Sequence, residues 1–153
     1  YLNNKELQDD AVLIVPFHKE EEKIVVIRQF RVPINSYIYE MPAGLIDKGE
    51  SPQTAITREL KEETGLDVIE ILKNTVKGQL FLSPGMTDES VTSVFCTCGG
   101  TISKAYMEED EDIEPILLSQ KEAQELLIKD IKFDIKCYIY LQEFAKSGNE
   151  MFK

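Results

Sequence analysis

Glu59, Glu62 and Glu63 are the residues of this chain whose types and spacing could do chemistry together. They lie in the stretch GLIDKGESPQTAITRELKEETGL, from Gly44 to Leu66, which reads as a helix with marked ends. Ser51 followed by Pro52 has the form of an N-cap and first helical position, where proline's fixed φ and missing N–H are harmless. Gly65 after Thr64 has the form of a left-handed C-cap, so a helix is expected from Pro52 to Thr64. On it the three glutamates stand at i, i+3 and i+4, one face within a single turn. Like charges so placed repel, and Lys61, the basic side chain inside the turn, points away. A hard divalent cation would remove the conflict, because Mg²⁺ accepts carboxylate oxygens while keeping waters and substrate phosphates in its shell. Arg58, four residues before Glu62, could fix that carboxylate's orientation. Glu50, in the loop before the helix, could reach the same cluster. Taken alone, such an acidic face is most often merely solvated.

The rest of the chain must position that helix. Ile56 and Leu60, four apart, form an apolar stripe beside the acids that should dock on a sheet. Ala11–Phe17 and Lys23–Phe30 are β-branched runs separated by the polar turn His18-Lys-Glu-Glu-Glu22, which reads as a hairpin with His18 solvated. Ser36–Met41 reads as a short strand entering Pro42-Ala43-Gly44. Asp67–Leu72, Val76–Leu82, Val91–Cys98 and Ile113–Leu118 read as further strands. Ser119 should cap a helix running to about Ile128. A closing helix is expected over Phe133–Ala145, where Ile135/Ile139 and Cys137/Leu141 repeat at i/i+4. Strands mixed with two or three helices point to the α+β class, as an α/β/α sandwich with a mixed sheet.

Composition narrows the possibilities. A chain of 153 residues without linker or repeat is expected to form one domain. A formal net charge of −11 and the lack of a Lys/Arg-rich stretch argue against nucleic acid as a partner. They leave room for a small anionic substrate bridged by cations. No apolar run reaches membrane-spanning length and no signal peptide is visible. Cys96, Cys98 and Cys137 suit a reducing compartment, hence the cytoplasm, and Cys96 and Cys98 read as buried small hydrophobes on one strand face.

The pattern G-x5-E-x7-R-E-U-x-E-E-x-G-U, with U a bulky aliphatic, is met at all nine specified positions: Gly44, Glu50, Arg58, Glu59, Leu60, Glu62, Glu63, Gly65 and Leu66. It resembles the Nudix box, the signature of hydrolases that cut nucleoside diphosphates linked to another moiety. With it, the acidic face reads as a metal site. The resemblance implies a single Nudix domain over residues 1–153 and Mg²⁺ (or Mn²⁺) as cofactor. The metal ligands it implies are the carbonyl of Ala43 with Glu59 and Glu63, and Glu62 as a further ligand or supporting group.

Three segments outside the box resemble the ADP-ribose pyrophosphatase-like subfamily: Arg28-Gln-Phe-Arg31, Ser83-Pro-Gly85 and the acidic stretch Glu109-Asp-Glu-Asp-Ile113. The resemblance implies hydrolysis of the pyrophosphate bond of ADP-ribose, or a related nucleoside diphosphate sugar, to AMP and ribose 5-phosphate. Arg31 would bind a phosphate, Glu40 a substrate hydroxyl or amine, and Arg28 and Gly85 belong to the substrate-binding segments. Arg58 and Glu62 would act with the catalytic cluster. Glu109 is the aligned candidate for the base, with Glu111 the alternative. Relatives of this type usually carry N-terminal strands that swap across a homodimer. Starting at Tyr1, ten residues before its first expected strand, this chain is expected to have them absent or truncated, with a homodimer through the shared fold still expected. Two alternatives stay open: a housecleaning hydrolase of (deoxy)nucleoside triphosphates or other nucleotide sugars, and a non-catalytic ligand-binding Nudix module.

Overall fold

The computed structural model describes residues 8–153, so the expectation about N-terminal dimerisation strands lies outside the described residues. The two opening runs form an antiparallel hairpin of β1 (Ala11–His18) and β2 (Lys23–Arg31). β3 (Ser36–Glu40) returns along β2, with Phe30 opposite Tyr37. A short β4 (Ala43–Leu45), to which the sequence reading assigned no element, pairs with the start of β1, Ala43 opposite Leu13. After α1 (Pro52–Thr64), β5 (Asp67–Ile71) and β6 (Lys77–Phe81) both run antiparallel to β7 (Ser90–Gly99). β7 lies parallel to β1 over the whole length of β1, and β8 (Ile113–Leu118) pairs antiparallel with β2. The chain closes with α2 (Gln120–Leu127), α3 (Ile135–Ser147) and a 3₁₀ turn, Gly148–Phe152.

Alternation along β1 divides the core. Val12 and Ile14 face α1, packing with Ala55, Ile56, Leu60, Leu66, Cys96 and Cys98. Leu13, Val15 and Phe17 face the other helices, packing with Leu126, Cys137, Leu141, Phe144 and Phe152. Burial on both sides explains why β1 reads as an unbroken apolar run. Helices on both faces of a mixed sheet make the expected α/β/α sandwich of the α+β class.

One edge of β1 is shared. β2 holds it only at Phe17 and His18, and β4 only at Ala11–Leu13. Between these points β2 leaves β1 and takes β3 and β8 on its two edges. The sheet therefore forks beside β4, and the cleft described below opens at this fork.

Two expectations are corrected. His18 is the last residue of β1 rather than a solvated turn residue, and is only 2% exposed. Its Nε2 lies 2.8 Å from the Gly100 carbonyl and its Nδ1 accepts from the Glu21 N–H at 3.1 Å, so Nε2 carries the proton. On α3, Cys137, Leu141 and Phe144 are buried, but the Ile135/Ile139 stripe faces outward, 71% and 55% exposed. The helix also starts two residues later than expected. Asp134 caps it through the N–H groups of Lys136 and Cys137, and Phe133 instead bridges Tyr39.

Replacing His18 with Leu keeps bulk but removes both ring hydrogen bonds, to the Gly100 carbonyl and from the Glu21 N–H. It is expected to lower stability by about 1–3 kcal/mol, read as a lower urea midpoint at unchanged slope. An unmoved midpoint would show that neither ring bond matters to the fold.

Candidate active site

α1 is held at both ends as its sequence requires. Ser51 Oγ accepts from the Thr54 N–H at 3.1 Å, and Gly65, at φ 78°, donates to the Lys61 carbonyl at 2.9 Å. The buried Ile56 and Leu60 turn Glu59 and Glu63 toward β4, leaving them 8% and 5% exposed. Gly44 of β4 sits against this turn so closely that a Cβ there would fall 2.0 Å from the Glu59 carboxyl carbon. Only glycine allows that approach.

Arg58 organises the acids. Its Nε and Nη2 donate to both oxygens of Glu50 at 2.9 and 2.8 Å, and its Nη1 donates to Glu59 at 2.7 Å and Glu62 at 3.2 Å. Nη2 also reaches the Leu45 carbonyl at 2.9 Å. The Arg58 fork holds the Glu50 carboxyl down at about 2. Glu63 is different. Burial first, then the neighbouring Glu59, pushes its carboxyl well above the usual carboxylate range, against only a 3.3 Å bond from the Ala43 N–H. Burial also raises Glu59, against the opposing pull of Arg58.

These groups line a cleft of about 610 Å³, within the size range of small-molecule sites. Nine carboxylates and three cations (Arg31, Arg58 and Lys136) line it, so an anionic ligand would meet net repulsion unless metal ions accompany it. The donor set near Glu59 and Glu63 is all oxygen, which suits a hard divalent cation. Among the described residues, however, no three potential ligands converge into a closed metal cluster. The Glu59 oxygen nearest Arg58 is engaged by that guanidinium.

The cleft gathers most of the residues singled out from the sequence. Ala43, Glu59, Glu62, Glu63, Arg58, Arg31 and Glu40 all line it. Arg31 and Glu40 form a bidentate pair at 2.8 and 3.0 Å, which pushes the Arg31 pKa up. Of the acidic stretch, Glu111 lines the cleft together with Glu108, whereas Glu109 does not. Arg28 and Gly85 lie off it. Arg28 covers the Tyr37 ring at 4.1 Å, and Gly85 belongs to a separate depression with Phe81 and Met86. Arg28 and Arg31 are an odd number of residues apart on β2, so their side chains leave opposite faces of the strand.

Asp134 and Lys136 were not foreseen as wall residues. They arrive because β3 stitches the start of α3 in place, Tyr39 N–H to the Lys132 carbonyl at 3.0 Å and Asp134 N–H to the Tyr39 carbonyl at 2.9 Å. The sequence around Asp134 carries no sign of this long-range pairing.

Comparison with known proteins agrees with this geometry. The NUDIX domain model matches residues 7–139. The ADP-ribose pyrophosphatase of Bacillus subtilis is 34% identical over 134 residues, covering 86% of this chain and 69% of that protein. The methanol dehydrogenase activator of Bacillus methanolicus is 35% identical over 135 residues, 82% of this chain and 70% of that one. A putative nudix hydrolase 2 of Caenorhabditis elegans is 35% identical over 122 residues, of whose length the chain covers 54%. A crystal structure of an ADP compounds hydrolase superposes with a TM-score of 0.68 at 26% identity, over 89% of this chain and 72% of that one. With the domain model matched over residues 7–139, and the acids of the box gathered against β4, this chain belongs to the Nudix family.

Proposed function

We propose that this protein is a metal-dependent pyrophosphohydrolase that cleaves ADP-ribose, or a related nucleoside diphosphate sugar, to AMP and ribose 5-phosphate. The observation that carries the reading is the burial of Glu59 and Glu63 as neighbouring carboxylates at the floor of a cleft whose wall carries Arg31. Two buried like charges need a cation, and a diphosphate brings oxygens to share it. The names of relatives, ADP-ribose pyrophosphatase and ADP-sugar pyrophosphatase among them, support the same substrate class.

Mg²⁺ or Mn²⁺ would be held by Glu59, Glu63 and the Ala43 carbonyl, with Glu62 close by, and would supply charge neutralisation and an activated water. Arg58 holds Glu59 and Glu62 in orientation, and Glu50 fixes Arg58 in turn. Arg31, preset by Glu40, binds a phosphate oxygen, and Glu40 is placed to accept a substrate hydroxyl. Glu111 takes the role of base, in preference to Glu109, because it faces the cleft and acts electrostatically on both Glu59 and Glu63. The three buried free thiols support a cytoplasmic setting, no described helix is long and apolar enough to cross a membrane, and the chain's acidity disfavours nucleic acid. The exposed Ile135 and Ile139 support a homodimer, which light scattering would weigh.

With Mg²⁺, a panel of ADP-ribose, ADP-glucose, NADH and 8-oxo-dGTP should show AMP released fastest from ADP-ribose. Faster turnover of the triphosphate would favour the housecleaning alternative, and tight binding without cleavage would favour a ligand-binding module. In the same assay Glu63→Gln should cost at least about 100-fold in turnover, and Glu111→Gln should cost more than Glu109→Gln. The reverse order would return the base to Glu109. Without divalent cation, Glu63→Gln should melt higher than the parent protein near neutral pH. A raised carboxyl pKa lends stability that is lost as pH rises through it, so the gap should close in acid, where both side chains are neutral.

A further inference from the structure

The segment between β7 and β8 that carries Glu111 is closed on itself, the Glu111 N–H donating to the Glu108 carbonyl at 3.1 Å and the Glu108 N–H to the Glu111 carboxylate at 3.2 Å. Glu108, Glu109 and Asp110 of this turn are exposed and Glu111 is half-buried, so the turn has little packing of its own to fix it over the cleft. Among the described residues, the side-chain hydrogen bond from Glu108–Asp112 to another element is at Asp112, whose carboxylate accepts a short hydrogen bond from the Tyr37 hydroxyl of β3. The Tyr37 ring is itself held, with the Arg28 guanidinium over its face at 4.1 Å. Arg28 in turn pairs with Glu114 at 3.7 Å, directly across from it in the β2–β8 ladder. Glu114, Arg28, Tyr37 and Asp112 thus form one chain of contacts around the point where the acidic segment enters β8. None of the four lines the cleft, whereas Glu111, the next residue, does. Hydrogen bonding to Asp112 pushes the Tyr37 pKa upward, which keeps the phenol a donor through the neutral range.

We propose that Tyr37 is a positioning residue of the hydrolytic site: its hydroxyl on Asp112, with its ring clamped by Arg28, sets where Glu111 stands over the Glu59/Glu63 floor. This rests on the reading of Glu111 as base. It also gives Arg28 a role other than the substrate binding that the resemblance implies.

Tyr37→Phe removes the hydroxyl and keeps the ring. Hydrogen exchange of the Glu108 and Glu111 amides reads the tether without reference to activity, and should speed up several-fold in this variant. With ADP-ribose and Mg²⁺, kcat should fall about 10- to 100-fold while KM moves little, as for a displaced catalytic group. Asp112→Ala should match it, and the double variant should be no worse than either single one. Asp112→Asn, which still accepts the hydroxyl, should restore most of the rate. Unchanged exchange would overturn the tether. Faster exchange with an unchanged kcat, or losses that multiply in the double variant, would overturn the positioning role. A parent protein that releases no AMP while exchange still responds would overturn the hydrolase reading, and the positioning role with it.

Discussion

Glu63 is nearly out of water beside a second carboxylate, and most of the site's construction follows from that one unfavourable placement. Arg58 spends its guanidinium on Glu50, Glu59 and Glu62 and leaves Glu63 with a single backbone donor. The acids are therefore neutralised unevenly: Glu50 is firmly ionised, while Glu63 is poised to give up its charge or to share it with a cation. A buried charge this costly persists only where the surroundings over-determine it. Here the capped ends of α1 and the docking of Ile56 and Leu60 supply that constraint.

The fork in the sheet gives this cluster somewhere to act. Had β2 paired with β1 along its full length, β4 would have no edge to join, and Ala43 could not meet Glu63. Because β2 departs early, it carries Arg31 outward and, through β3, fixes both Glu40 and the first turn of α3. Four separate parts of the chain thus meet around one opening. The strands and the start of α3 are set by backbone pairing and α1 by its buried stripe, whereas the acidic segment before β8 is a turn.

Much of this was legible in the sequence because it is local. The helix caps, the i/i+3/i+4 acids and the alternating strands are properties of neighbours in the chain, and Pro52–Thr64 appears with the boundaries its Ser-Pro start and Gly65 require. What escaped depends on distant partners. Ala43–Leu45 is too short to announce itself as a strand and exists because β1 offers it an edge. His18 looks like a turn residue until the Gly100 carbonyl, far along the chain, is placed at its Nε2. The Ile135/Ile139 and Cys137/Leu141 pairs have the same spacing, and only the packing of α3 on the sheet decides which of them is inside. Arg28 and Arg31 share a motif yet emerge on different faces. Among Glu108, Glu109 and Glu111, composition cannot choose, because a turn and not a periodic element aims them.

The absent side chain at Gly44 acts as a spacer of zero thickness between a strand and a helix. Any substituent there would wedge the two apart and widen the gap between the main chain at Ala43 and the carboxylate of Glu59, the groups through which an ion would have to be gripped. The tolerance of the proposed ion site would thus be gauged by a residue that has no donor atom to offer it. Selectivity for a small, hard cation over a larger one would then be tuned from the backbone of β4, without exchanging a single acid.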